Sequence, residues 1–354
     1  VGNIVSSIFY KNKPIIGFDF SKVGARVMSL DVTKMSVHGY GAIDFDPSKM
    51  SDDLEVCSDY IVTRINELFE KNLVGKLNSN RAVLSLPTSR TFSRTFTVPK
   101  AQEASLRDAV NLEVEQYIPM PPDLLYVDHQ IIKRDKDSLT VLMCAAPKKD
   151  IEVMTTIAKQ CGIEIAMIEP SINAIARILK STESGGLPTV ILDIGPSTTD
   201  IAILDSVIRV TSGVNIGGNT FTLNIAKKLN TPLEAAHQLK VLSGLNSGPK
   251  QAQITSALKP SLETVVKETQ KIIRYYSEHF PNEPKMEQLL IVGSGSNIPG
   301  LGDYFTNELM MPSRTASPWQ ALNFSSLQPP TKQLRTHLMT VAGLALVDPK
   351  EIWK

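Results

Sequence analysis

Two aspartates, each closing an apolar run and opening a short polar turn, are the residues of this chain best suited to chemistry. Asp193 ends Ile191-Leu192-Asp193 and leads into Ile194-Gly195-Pro196-Ser197-Thr198-Thr199-Asp200; Asp19 lies in Gly17-Phe18-Asp19-Phe20-Ser21-Lys22. A turn rich in Gly, Ser and Thr points backbone N–H groups and hydroxyls at an anion. Glycine lets a ligand approach the backbone closely. Carboxylates there would hold Mg²⁺ mostly through water, since this ion takes oxygen ligands and keeps part of its hydration shell. An ordinary hairpin turn capped by Asp and Ser uses the same residue types for local hydrogen bonds.

Three further pieces follow in order. Gly217-Gly218-Asn219-Thr220 opens a helical stretch. Gly293-Ser294-Gly295-Ser296 follows the apolar run Leu289-Leu290-Ile291-Val292, and Asn297-Ile298-Pro299-Gly300-Leu301 starts another helix. A glycine turn between strand and helix lets a flat base lie against backbone. Glu169, before Pro170, is the one candidate for orienting a water in hydrolysis, a step that also needs a metal and a charge clamp. As an acid near a helix N-terminus it is more simply read as serving the macrodipole. The two aspartate segments also echo each other. Aligning Asp19 with Asp193 pairs Phe18 with Leu192, Phe20 with Ile194, Val27 with Ile201, Leu30 with Leu204 and Asp31 with Asp205. Such an echo suggests a duplicated unit, although amphipathic hairpins share this periodicity in general.

The bulk composition limits the alternatives. The chain has 354 residues, 42% of them hydrophobic, enough for one large or two ordinary domains. Its 37 basic and 36 acidic residues give a net charge of +1. That balance does not point to nucleic acid. Cys57, Cys144 and Cys161 form an odd set without paired spacing, and the five histidines are scattered. A disulfide framework and a zinc site are not expected, and a reducing compartment is. No apolar run approaches the roughly 20 residues of a membrane span, and Ile4 to Tyr10 lacks the cleavage pattern of a secretion signal.

The elements that must position these residues alternate between strand and helix. Strands are expected at 15–20, 25–31, 81–86, 92–98, 126–132, 139–145 and 163–168, in the stretch 189–204, and at 288–292. Helices are expected near 52–71, 100–118, 150–161, 171–180, 219–229, 232–243, 252–280 and 333–346. Pro119-Met120-Pro121-Pro122 ends the second helix. Asp150 is the capping candidate of the third, which Gly162 closes. Ser184-Gly185-Gly186 reads as a linker. The alternation argues for α/β layers.

The ordered set of phosphate hairpins, helix-opening Gly-Gly and strand–Gly-Ser-Gly-Ser–helix resembles the actin, Hsp70 and sugar-kinase superfamily. Within it the chain is similar, over nearly its whole length, to the PilM family of type IV pilus assembly. Four stretches carry the resemblance: Asn12 to Asp19, Glu113 to Pro121 followed by Val127-Asp128-His129-Gln130, Ile216 to Thr222, and Leu289 to Tyr304. The second is the most specific. The resemblance implies an α/β, actin-like (ribonuclease H-like) two-lobed nucleotide-binding fold, FtsA-like, with an inserted small α+β subdomain in the first lobe. The expected units are a tail at 1–13, a first lobe at 14–80, 163–183 and 325–354, an insert at 81–162, and a second lobe at 184–324.

The same resemblance implies ATP with Mg²⁺ in the cleft. Asp19 and Asp193 would serve the metal. Asp19, Ser21, Lys22, Asp193, Gly195, Ser197, Thr198, Thr199, Gly217, Gly218, Lys240, Gly293, Ser294, Gly295 and Ser296 would surround the nucleotide. The chain departs from the family where glycine is usual at Ser21 and at Ser294, and where His237 replaces a glutamate three residues before Lys240. Turnover, if any, is expected to be slow. The implied partner is the cytoplasmic N-terminal peptide of the inner-membrane protein PilN, in a groove between first lobe and insert, with Gln116, Tyr117, Ile118 and Met120 as candidates. Those four would also serve as a helix end and rigid proline turn. PilO and the pilus assembly and retraction motor ATPases are further implied partners, at a cytoplasmic location peripheral to the inner membrane. The apolar and basic tail could lie on a membrane surface or pack on the body. An FtsA-like cell-division membrane tether, a small-molecule kinase of the same superfamily and the cytoplasmic half of a type II secretion protein are the rival readings.

Overall fold

The computed structural model describes residues 13–183, 186–325 and 327–352. The tail apart from Lys13, Ser184-Gly185 of the linker and Trp353-Lys354 therefore lie outside the described residues.

The first lobe is built on a six-stranded sheet. Its strands are β1 (Ile16–Ser21), β2 (Gly24–Asp31), β3 (Ser36–Asp44), β4 (Leu73–Gly75), β5 (Arg81–Leu86) and β9 (Glu164–Pro170), in the order β4-β3-β2-β1-β5-β9. The second lobe is built on β10 (Thr189–Ile194), β11 (Thr199–Asp205), β12 (Val207–Val214), β13 (Gln288–Val292) and β14 (Ser313–Thr315), in the order β12-β11-β10-β13-β14. The two sheets repeat one plan. In each, a three-strand antiparallel meander is followed by two parallel strands.

The repeat extends to register. Asp19 pairs with Arg26 across β1 and β2, and Asp193 pairs with Asp200 across β10 and β11. A register shift follows at Ser29/Leu30 in the first meander and at Ile203/Leu204 in the second. These positions correspond under the Asp19–Asp193 alignment. Two hairpins with the same register and the same bulge make the sequence echo a structural one.

Side chains alternate across a strand, and that fixes what each face does. Ile16, Phe18 and Phe20 of β1 pack with α1 (Ser58–Lys71) and α3 (Lys148–Gln160) in one core. Val190, Leu192 and Ile194 of β10 pack with α5 (Gly218–Leu229) and α7 (Gln251–His279) in another. The opposite faces meet a shared core around α4 (Ser171–Thr182) and α10 (Met339–Ala345), which takes Met28 and Val83 from one sheet and Ile191 and Leu290 from the other. Asp19 and Asp193 belong by parity to these inner faces. The helix pair is closely seated: a Cβ added to Gly343 would lie 1.9 Å from the Ala174 carbonyl oxygen.

A third, three-stranded sheet has β8 (Ser138–Pro147) between β6 (Phe92–Pro99) and β7 (Leu125–Arg134), with α2 (Leu106–Tyr117) on one face. Phe96, Val98, Val110, Val114, Val141 and Met143 give it a core of its own. This unit spans 92–147 rather than the expected 81–162. β5 is paired between β1 and β9, and α3 shares the core of β1, so both belong to the first lobe. Asp150 sits in the first turn of α3, whose N-cap is Pro147. The helix expected at 333–346 is two helices, α9 (Lys332–His337) and α10, divided at Leu338. α6 (Leu233–Leu242), α8 (Leu301–Leu309) and α11 (Pro349–Ile352) complete the helices. Among the described residues no helix is long and apolar enough to cross a membrane.

Candidate functional site

Both inner-face aspartates are half-buried and uncompensated enough for their carboxyls to be held above the ordinary range. Burial raises Asp193 to about 7, helped by the charges of Asp200 and Asp19. Because the charge of Asp19 acts on Asp193, the two hairpins of different lobes lie within electrostatic reach of each other. Burial also raises Asp19, against a hydrogen bond donated by Ser85 and the charge of Arg26. Asp200, on β11 beside Asp193, is buried and raised to about 6 by desolvation, which a hydrogen bond from Thr88 opposes. Three carboxylates thus converge where the lobes meet. Such a group draws a proton or a cation.

Asp200 was not singled out from sequence. It closes Ser197-Thr198-Thr199-Asp200, and its spacing of seven from Asp193 in a hairpin was the signal that could have found it. Among the described residues, no three or more His, Cys, Asp or Glu side chains are grouped so as to hold a metal ion by themselves.

Behind Asp193, three backbone segments meet. A Cβ on Gly293, whose φ is +91°, would lie 2.3 Å from Asp193 Oδ1. A Cβ on Gly217 would meet the Gly195 oxygen at 2.6 Å, and one on Gly295 would meet the same atom at 2.6 Å. Glycine is required here because the second hairpin turn, the start of α5 and the Gly-Ser-Gly-Ser turn touch directly. The amide of Gly218 donates to the Gly195 oxygen at 2.9 Å, and that of Asn219 to the Pro196 oxygen at 2.8 Å. The first N–H groups of α5, which an anion would otherwise use, are thus engaged by the turn.

The structure brings Asp19, Asp193, Gly195, Gly217, Gly218, Gly293, Gly295 and Ser296 to this junction and gives several other candidates different work. Ser296 is buried and donates to the Gly293 oxygen at 2.7 Å, while Ser294 is half-buried on the same turn. Thr199 is buried and donates to the Ile216 oxygen at 2.7 Å; Thr198 is half-buried and Ser197 exposed. Lys240 is held by internal partners. Its buried ammonium donates to the Gly218 oxygen and the Thr222 hydroxyl, both at 2.9 Å, and burial lowers it to about 8. Ser21 accepts from the Val23 amide at 3.3 Å, and Lys22 forms an ion pair with Asp52, away from the second lobe.

Glu169 is engaged within the first lobe. Its two carboxylate oxygens receive Arg177 at 2.5 and 2.7 Å, and Arg177 also donates to the Gly343 oxygen at 3.0 Å. A buried, doubly paired carboxylate ties β9 to the α4–α10 pair and is not free to orient a water.

The four groove candidates divide. Ile118 is buried in the core of the three-stranded unit, and Met120 packs against that core. Gln116 and Tyr117 are exposed, and the Arg94 guanidinium stacks 3.3 Å from the Tyr117 ring. Tyr117 and Ile118 line a cavity of about 400 Å³ whose far wall is β12 and α7 of the second lobe, not the first lobe. One cavity against the first lobe, of about 380 Å³, is lined by Phe20, Leu86, Val153 and Met154 below a charged rim, and another, of about 410 Å³, lies between β2–β3 and residues 328–337.

The fold has counterparts. The FtsA cell division protein of Neisseria meningitidis serogroup B is 23% identical over 306 residues, covering 75% of this chain and 70% of that protein. The solved PilM–PilN type IV pilus biogenesis complex contains a chain that superposes with a TM-score of 0.78 at 19% identity, covering 95% of this chain and 98% of its own. MreB 5 of Spiroplasma citri bound to AMPPNP superposes with a TM-score of 0.51 at 13% identity, over 94% of each chain. The two lobes, with duplicated sheets and opposed aspartate hairpins, are accordingly an actin-like fold. The family model for type IV pilus assembly protein PilM matches residues 17–348, and the chain belongs to that family.

Proposed function

We propose that this chain is an ATP-binding scaffold on the cytoplasmic side of type IV pilus assembly, which holds the N-terminal peptide of a PilN-type inner-membrane protein. The observation that carries the nucleotide half is the register-matched pair of hairpins, whose Asp19 and Asp193 carboxyls are both raised by burial, with Asp193 also feeling the charges of Asp200 and Asp19. Mg²⁺ with a triphosphate would neutralise this cluster. Asp19 and Asp193 would contact the ion through water, with Asp200 beside them. Ser85 holds Asp19, and Gly293 backs Asp193. With Glu169 tied to Arg177, the proposed role rests on nucleotide binding, with turnover at most slow. Bound nucleotide would select one arrangement of the lobes. PilO and the pilus motor ATPases are partners proposed on family membership alone.

For the peptide, the cavity of about 380 Å³ against the first lobe suits a short amphipathic segment. Its floor is apolar, and its rim carries Lys22–Asp52, Lys149–Asp53 and Arg90–Asp150 ion pairs. It lies where Pro87 and Arg90 lead into the three-stranded unit. PilN is the partner because a PilM–PilN complex shares the fold and the family matches.

Two measurements test the proposal. Mg-ATP raises the melting temperature of the wild-type chain, and Asp193→Ala abolishes the rise. An unchanged rise removes the cleft assignment. A fluorescent PilN N-terminal peptide binds the wild type, and Val153→Glu weakens it at least tenfold while Tyr117→Ala leaves it unchanged. The reverse pattern moves the peptide to the face of Tyr117.

A further inference from the structure

The two hairpins part company at the residue that faces each aspartate. Arg26 faces Asp19 across β1 and β2, where the second hairpin has Asp200 facing Asp193. The hairpins therefore present three carboxylates and a guanidinium. Arg26 is 5% exposed, and its charge lowers Asp19 against the effect of burial. Its Nη1 donates to the Ala25 oxygen at 2.8 Å and the Ile43 oxygen at 2.5 Å, and its Nη2 pairs with Asp44. A Cβ on Gly24, which pairs with Ser21 across the first turn, would lie 2.5 Å from that Nη1. A fixed cation thus sits beside the first hairpin turn.

Consecutive residues of α9 reach this cation and the opposite lobe. Arg26 Nη2 lies 3.4 Å from His337 Nδ1, and the Thr336 hydroxyl accepts from Asn297 Nδ2 at 3.3 Å. Asn297 directly follows the Gly293-Ser294-Gly295-Ser296 turn of the second lobe. Leu338 then ends α9 and caps the start of α10, which lies in the core shared by both sheets. A guanidinium can only donate, so His337 Nδ1 must offer its lone pair, and the ring proton sits on Nε2. Burial and the Arg26 charge favour this neutral ring, against the pull of Asp44. All three groups border the cavity of about 410 Å³.

We infer that His337 is a positioning residue for nucleotide binding: its Nδ1 lone pair holds the Arg26 guanidinium beside the first hairpin turn, while its neighbour Thr336 holds the Gly-Ser-Gly-Ser turn, so that α9 sets the span between the two walls of the cleft. The inference rests on the nucleotide reading proposed above and names a residue that acts on it from outside the cleft. A triphosphate entering among three carboxylates gains from positive charge that is already in place, because a preorganised charge does not have to move on binding. Asp44 alone does not fix that guanidinium, since its side chain is 77% exposed. His337 closes the other side. Loss of its acceptor frees Arg26 to turn toward solvent and slackens the tie between the lobes.

The test uses the full chain, with titration calorimetry of Mg-ATP and nitrogen NMR of the histidine ring in the nucleotide-free protein. The ring of His337 is expected to carry its proton on Nε2. His337→Leu weakens Mg-ATP by about fivefold or more. His337→Asn puts an amide oxygen where Nδ1 stands and binds within about twofold of wild type. His337→Gln puts its amide at the place of Nε2 instead and binds like His337→Leu. The contrast between Asn and Gln separates holding Arg26 from merely filling space. The inference is overturned if the ring proton is on Nδ1, if His337→Leu binds as wild type does, or if Asn and Gln behave alike. A wild-type chain that binds no Mg-ATP overturns the nucleotide reading and this inference together; any of the other results with wild-type binding intact overturns this inference alone.

Discussion

Asp193→Asn isolates the electrostatic cost of the interlobe carboxylates. The substitution keeps shape and removes the charge. In the folded chain the Asp193 carboxyl is raised from 3.8 to about 7, so between those values the folded state binds more protons than the unfolded one. Stability from this group is fully present below the unfolded value of 3.8 and is lost as pH rises through about 7. At 1.36 kcal/mol per pH unit the cost of ionisation above pH 7 is ~4 kcal/mol. Asp200 shares part of that repulsion and is itself raised to about 6, so a gain of ~2–4 kcal/mol is expected for the variant at high pH. The assay is urea unfolding at pH 5 and pH 8 with a chelator present. Wild type should be less stable at pH 8, and Asp193→Asn should recover most of the difference. Adding Mg²⁺ at pH 8 should stabilise wild type and leave the variant nearly unchanged. A variant less stable than wild type at pH 8, with an unaltered pH profile, would refute the reasoning.

Other substitutions test the surrounding structure. Gly293→Ala meets Asp193 Oδ1 at 2.3 Å from a backbone with φ +91°; calorimetry should show a loss of ~3 kcal/mol or more. Arg177→Ala strands the buried Glu169 carboxylate; denaturant titration should show a loss of ~3–5 kcal/mol. Ser85→Ala removes the donor to Asp19; it should cost ~1 kcal/mol and raise the Asp19 carboxyl further, seen by NMR titration of that side chain.

The sequence exposed the site better than the architecture around it. Asp19 and Asp193 were legible because each ends an apolar strand, and the aligned echo carried over into register and bulge. β3 escaped because Gly39 and Gly41 interrupt its alternation, and β12 because buried Arg209 and polar Thr211 and Ser212 hide its period. The limits of the three-stranded unit could not be read locally: nothing in Arg81–Leu86 says that its neighbours are β1 and β9. Lys240 and Glu169 looked available for a ligand because charge is visible in a sequence and its partner is not. Gly218, Thr222 and Arg177 had claimed them. Tyr117 and Ile118 were adjacent in sequence but differ in fate, one stacked under Arg94 and the other in a core.

The α4–α10 pair acts as a fulcrum. Both sheets lean on it through one continuous apolar mass, and the Gly343–Ala174 approach leaves no slack between the helices. Prising the lobes straight apart would tear that mass open along its whole length. Turning them about the fulcrum, like the blades of shears, leaves most of it in place. Asp19 stands two residues beyond Gly17, which rests against the Val341 carbonyl of α10, so the two aspartates sit close to the pivot and the spacing between them would change little until the blades turn far.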